Sequence, residues 1–364
     1  MTGLLASFDA PRTFGGEQAA MVLAHRWSPR IGAHIDRLKA EAGTMMSVYL
    51  AYSLPHDDAT VPEGCVPDIV VRPSDGAAVL PRRASYAERY GIWTGSADRF
   101  SFPAMLGPLR GLEHVWFVEY DVDFSGHWGD FFRSVAALPG DYVATHLRSR
   151  TDDPDWWHWR TLETPPETDP ATHLASFHPV ARFSRRFLEV YANAVEQGDW
   201  AGHTEALYPT IAAHHGLSVV DLGGSGAFVP NGWEGRHYRP PTGPTQLSPH
   251  FGYRPPFSFQ YFHEAPELFP ERGRLHHPVK DVDASGPADL FMDLGQAVEA
   301  EAVVETLPEL DPPPIADATM PVPDAMSEVP LQTPAQAARP RLSILQKARR
   351  ETSRLRRQIA GLLR

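Results

Sequence analysis

The sequence predicts an α/β domain built on a largely parallel sheet, and three observations carry that expectation. Short β-branched and aromatic runs alternate along the chain with amphipathic helical patterns. The 364 residues are 42% apolar and 21% charged, enough to bury a large core. No repeat of 20 to 50 residues is present, which argues against solenoids and propellers.

In chain order, MMSVYLAYSL (45–54) reads as a strand that stops at Pro55. DRFSFPAMLGPLRGL (98–112) reads as an aromatic-rich helix interrupted at Pro103 and Pro108. HVWFVEYDVDF (114–124) is a longer strand with an acidic carboxyl end, and DYVATHL (141–147) and LSVVDLG (217–223) are further strands. PVARFSRRFLEVYANAVEQG (179–198) carries apolar residues at 183, 187, 190, 191 and 194 and predicts a helix ended by glycine; HTEALYPTIAAHHG (203–216) predicts another. The folded body is expected over 1–300, with its core at about 45–282.

Beyond it, residues 307–340 hold nine prolines among acidic and small residues, so 301–340 reads as an extended acidic linker. Residues 341–364 place Leu345, Ala348, Thr352, Leu355, Ile359 and Leu362 at spacings of three and four, with arginines around the rest. That pattern predicts a basic amphipathic helix suited to an anionic membrane surface, a coiled coil or an acidic protein face.

Charge and cysteine content narrow the chemistry. The overall −12 conceals a tail, 339–364, with nine Lys or Arg against one Glu; the preceding 338 residues hold 24 basic and 44 acidic residues, a net −20. An acidic body lacks the clustered cations that neutralise phosphates, so nucleic acid is not an expected partner. The single cysteine, Cys65, excludes internal disulfides, dithiol redox chemistry and cysteine-rich zinc sites. No Gly-x-Ser-x-Gly elbow is present, and the turn-like acidic context of Cys65 should raise its pKa, so neither residue type offers a hydrolase nucleophile. No apolar run is long enough to span a membrane and no leader is evident, which predicts a cytoplasmic protein, peripheral at most to the inner membrane face.

The densest chemical signal is Trp116-Phe117-Val118-Glu119-Tyr120-Asp121-Val122-Asp123. Strand alternation would put Glu119, Asp121 and Asp123 on one face, where mutual repulsion invites a divalent cation or a basic partner. Oxygen ligands suit Mg²⁺ or Mn²⁺. A strand that simply runs out of the core into an acidic turn is the alternative. Asp221-Leu222-Gly223-Gly224-Ser225-Gly226 is not followed by a helix start and reads as a turn rather than a phosphate loop. Trp156, Trp157 and Trp159 suit either sugar stacking, with His158 and Arg160 beside them, or core packing.

The stretch WFVEYDVDFSGHWGDFF (116–132) resembles the core of GT-A-fold glycosyltransferases, in which an apolar strand delivers an Asp-x-Asp motif to a metal and a nucleotide-sugar diphosphate. It is similar to bacterial glycosyltransferase-like proteins that carry Glu-Tyr-Asp-Val, then Ser/Thr-Gly, a Trp and paired Phe. The resemblance implies Mn²⁺ or Mg²⁺ bound by Asp123, with Asp121 on ribose or metal. It implies that Glu205, in His203-Thr204-Glu205-Ala206-Leu207-Tyr208-Pro209-Thr210, is the general base if the enzyme inverts; a role in the helix's first turn is the alternative. It also implies that His277 completes the metal shell in preference to His276, and that Lys280 contacts phosphate. The nucleotide base would lie beside the first strand, near Tyr49, Tyr52 or Ser53, residues that strand-end packing also explains. The expected partners are a nucleotide-sugar donor and a glycan, lipid-linked or small-molecule acceptor. A metal-dependent hydrolase of phosphate or sugar esters and a non-catalytic nucleotide- or glycan-binding protein are the competing classes.

Overall fold

The computed structural model describes residues 15–43, 45–89, 97–136, 138–239, 260–269 and 271–279. All fall within the first of two units, Met1–Glu305 and Thr306–Arg364. The linker 301–340, the basic helix 341–364 and Lys280 lie outside the described residues.

The elements run β1 (Gly15–Ala24), α1 (Pro29–Ala42), β2 (Ser47–Ser53), β3 (Ile69–Val71), α2 (Pro73–Val79), α3 (Pro81–Arg89), α4 (Ala97–Leu106), β4 (Gly111–Glu119), β5 (Asp123–Phe124) and α5 (Trp128–Val135). Then follow β6 (Tyr142–Ser149), β7 (Leu174–Ser184), α6 (Arg185–Gln197), α7 (Thr204–His214), β8 (Val219–Asp221) and β9 (Leu275–His276). Seven strands form one mixed sheet in the order β3-β2-β1-β4-β7-β6-β8, and β5 pairs with β9 separately. Only β7 is reversed: it runs antiparallel to both β4 and β6, whereas the other pairings in this sheet are parallel. The domain is therefore α/β with a mainly parallel sheet, as the sequence predicts.

Helices cover both faces. Ala19, Met21, Leu23, Val115 and Phe117 pack on one side with residues of α4, α6 and α7. Ala20, Val22, Ala24, Trp116 and Val118 pack on the other with residues of α1 and α5. Two-sided burial explains why β4 reads as a continuous apolar run before its acidic end.

The structure corrects three readings. The core begins at β1, well before residue 45, and β1 is a central strand paired with both β2 and β4. The span 179–198 is not one helix: residues to Ser184 belong to β7, and Ser184 Oγ then accepts the Phe187 N–H at 3.0 Å as the cap of α6. The acidic strand stops at Glu119, where the Val122 N–H bonds back to Glu119 O at 3.0 Å and turns the chain. No helix among the described residues is long and apolar enough to cross a membrane.

Candidate functional site

The strand order changes direction between β1 and β4: β1 leads to β2 on one side, while β4 lies on the other. The crevice outside the carboxyl ends of such a strand pair is where open α/β sheets collect ligands. Glu119 ends β4 at this point, and the Tyr120 N–H bonds Leu23 O of β1 at 3.0 Å.

The turn after Glu119 separates the carboxylates that strand alternation would have kept together. Asp123 departs from its expected metal role. It is fully buried, its Oδ1 accepts Arg37 Nη1 at 3.0 Å and the Phe124 N–H at 2.6 Å, and its Oδ2 accepts the Phe262 N–H at 2.6 Å. His34 Nδ1 is 3.9 Å from Oδ1, and the His34 ring stacks on Tyr261 at 4.2 Å. Burial holds the His34 pKa below its ordinary value. With its charge answered by Arg37, the Asp123 carboxylate binds α1 to segment 261–264.

Asp121 takes the other direction. Its side chain is buried, and its carbonyl accepts the Val279 N–H at 2.7 Å. His277 Nε2 lies 3.3 Å from Glu119 Oε2 and 3.6 Å from Asp121 Oδ1. One ligand atom from each of these three residues lies within 4.8 Å of the others. Backbone pairing delivers the histidine: β5 and β9 match Asp123 with His276 and Phe124 with Leu275. His277 then rests against Phe177 at 5.3 Å, while His276 packs on Phe269 at 4.8 Å. The structure thus brings His277 to Asp121, and substitutes Glu119 for Asp123 in the group. Two carboxylates and one imidazole are a mixed donor set that can hold a divalent cation, Mn²⁺ more readily than Mg²⁺, whose shell prefers oxygen alone.

A second cluster opens α7. His203 caps the helix, its Nδ1 accepting the Glu205 N–H at 3.3 Å, and Glu205 lies in the first turn. The His158 and His203 rings stack at 3.7 Å, and His158 Nε2 is 3.9 Å from Glu205 Oε2. Burial pushes the Glu205 carboxyl up to about 8; Arg148 opposes that shift and the Glu119 charge adds to it. This mutual influence puts Glu205 within electrostatic range of the first cluster. Burial also brings His203 down to about 3 and drives His158 lower still, so both rings are neutral. These three residues also have ligand atoms within 4.8 Å of one another. With His203 Nδ1 accepting the helix-cap bond, its ring proton sits on Nε2.

The remaining expectations fall differently. Tyr49 lies in mid-strand, in register with Met21 and packed on the core, whereas Tyr52 and Ser53 reach the carboxyl end of β2. That placement removes Tyr49 from the ligand edge. Trp156 is covered by the Arg148 guanidinium at 4.6 Å, and the buried Trp159 donates its indole N–H to Asp153 O at 2.7 Å. Both rings serve packing rather than an open sugar platform. Burial pushes the Cys65 thiol up to about 11, in line with the absence of a thiol nucleophile.

The Asp221 loop is a structural anchor. The Asp221 carboxylate accepts the N–H groups of Gly223, Gly224 and Leu147 at 2.8 to 3.0 Å and the Tyr238 hydroxyl at 2.8 Å. A Cβ at Gly224 would collide with the Tyr238 ring, so only glycine fits there. Sequence reading passed over Tyr238 and His146, which this anchor supports; neither residue type gives a pattern that would reveal it.

The chain matches none of the protein-family models searched, and no curated protein matches it.

Proposed function

We propose that this protein transfers a sugar from a nucleotide-sugar donor to a hydroxyl group of an acceptor, using a divalent cation held by Glu119, Asp121 and His277. The observation that carries the reading is the convergence of these three side chains at the carboxyl edge of the sheet, where β1 and β4 diverge. The mixed sheet with its single reversed strand is compatible with the GT-A type that the Asp-x-Asp stretch resembles.

When bound, Mn²⁺ or Mg²⁺ neutralises charge on the departing diphosphate. The protein's own residues supply the rest. Glu205, in its deprotonated form, accepts the proton of the acceptor hydroxyl as that oxygen bonds to the anomeric carbon and the bond to the diphosphate oxygen breaks. This direct displacement inverts the anomeric centre. A carboxyl at about 8 is a stronger base than an ordinary glutamate and is still ionised in part at neutral pH. The neutral His158 and His203 rings flank it without competing for the proton. A glycan or lipid-linked acceptor would approach from the α7 side.

The test is thermal stability of the full chain against a panel of nucleoside diphosphates and nucleotide sugars, with Mn²⁺ or EDTA, beside Asp121→Ala. A ligand at a hundred times its dissociation constant adds about 2.7 kcal/mol, a readily measured rise in melting point. A Mn²⁺-dependent shift with one nucleotide, absent in Asp121→Ala, supports the donor site and identifies its base. Absence of a shift with every nucleotide overturns the reading and transfers the three ligands to a metal-dependent hydrolase or a binding protein.

A further inference from the structure

His146 is the only non-glycine residue with positive φ among the described residues, at 51°. That conformation crowds Cβ against its own backbone and is uncommon outside glycine. It persists only where surrounding structure enforces it, and such outliers cluster at ligand sites.

Here the enforcing structure is visible. The His146 N–H is accepted by the Tyr238 hydroxyl at 2.6 Å, and that hydroxyl donates its own proton to the buried Asp221 carboxylate at 2.8 Å. Glycine at 224 leaves room for the Tyr238 ring. The register of β6 against β7 also shifts between Val143 and Thr145 and again between Thr145 and Arg148, so the second irregularity contains His146. The ring is placed between two aromatic neighbours. It lies 5.8 Å from Phe177, whose ring is also the support of His277, and 4.7 Å from Tyr238. His146 is partly exposed, with its Nε2 closed to solvent, in the carboxyl half of β6 and on the same edge of the sheet as Glu119.

We infer that His146 is a substrate-contact residue, held in a strained backbone so that its Nδ1–H donates to an anionic oxygen of the donor's diphosphate, across Phe177 from the metal ligands. This rests on the donor-site reading and adds a residue to it. A histidine needed only for packing would not require the left-handed backbone, because the regular strand conformation would serve a core side chain at lower energy.

The experiment uses the full-length protein, with Mn²⁺ alone and Mn²⁺ with inorganic pyrophosphate as probes in titration calorimetry, alongside urea unfolding. His146→Gly relieves the backbone and removes the ring; His146→Asn retains a donor of shorter reach in a residue that tolerates positive φ. Both variants are expected to unfold at the wild-type urea midpoint or above it and to bind Mn²⁺ alone as the wild type does. Pyrophosphate affinity should fall about tenfold or more in His146→Gly, the loss of a hydrogen bond to a charged group. Unchanged pyrophosphate affinity in both variants overturns the inference while leaving the donor site intact. A lowered urea midpoint in both variants also overturns it, making His146 a packing residue. Wild-type protein that binds Mn²⁺ but not pyrophosphate overturns the donor-site reading and the inference with it.

Discussion

Arg37 Nη1 lies 3.0 Å from Asp123 Oδ1, and both side chains are almost closed to solvent. The same guanidinium reaches Glu41 Oε1 at 2.9 Å and Gly126 O at 2.7 Å, so a single arginine links α1 to the loop after β5. Removing Asp123 would leave that cation buried beside orphaned N–H groups of Phe124 and Phe262. Asp123→Ala should therefore lower unfolding free energy by about 3–5 kcal/mol. Asp121→Asn, which relieves repulsion with Glu119, should lower it far less. Urea unfolding of the two variants is the check, and equal losses would remove the distinction between anchor and ligand.

A similar argument applies to Arg83 and Asp98, which are fully buried and 2.8 Å apart. The Tyr191 hydroxyl donates to the same carboxylate oxygen at 2.5 Å, and burial together with the Asp98 charge pushes that hydroxyl well above the usual tyrosine range. Asp98→Ala leaves an uncompensated cation in the core and should reduce stability by about 3–5 kcal/mol. The paired change Arg83→Met with Asp98→Leu should recover part of the loss, because it removes both buried charges together. A double variant no more stable than Asp98→Ala would contradict this.

Tyr238 and His146 give a coupling measurement. Tyr238→Phe removes the acceptor of the His146 N–H and a donor to Asp221, and should decrease stability by about 1–3 kcal/mol. If the hydroxyl maintains the left-handed backbone, its loss should matter less once residue 146 is glycine. The two changes should then be non-additive in a double-mutant cycle of unfolding free energies. Strict additivity would mean that Tyr238 does not hold His146.

How much of this was legible in the sequence depended on whether residue type reveals environment. The apolar lead-in of β4 located the acidic end correctly, because two-sided burial writes itself as an uninterrupted hydrophobic run. Strand alternation does not carry through to Asp123, because the chain turns after Glu119. β1 leaves little trace in the sequence because GGEQAAMVLA is rich in glycine and alanine, which carry little strand signal, and its place in the sheet comes from its neighbours. β7 is buried along its whole length, so no period of two marks it, and its last residues blended into the helical spacing of α6. Nothing about a histidine predicts a φ of 51°, since that angle is imposed by Tyr238, 92 positions away.

Glu205 connects stability with catalysis through one ionisation. Its carboxyl, ordinarily near 4.5, is pushed up to about 8 by burial first and by Glu119 in addition, against the opposing Arg148. Between those values the folded protein keeps a proton that the unfolded chain has released. This group's contribution is therefore fully present below about pH 4.5 and is lost as pH rises to about 8. At about 1.4 kcal/mol per pH unit the loss is of the order of 5 kcal/mol. Glu205→Gln should abolish that slope, so the variant gains on the wild type from about pH 5 to about pH 8 and no further above it, in urea unfolding with EDTA present. The transfer rate should behave in the opposite sense: it rises with pH as Glu205 ionises, with a limb near pH 8, and the Gln variant has lost both the limb and the rate. Parallel stability profiles for the two proteins would mean that Glu205 ionises as an ordinary surface carboxylate, and the general-base assignment would fall with it.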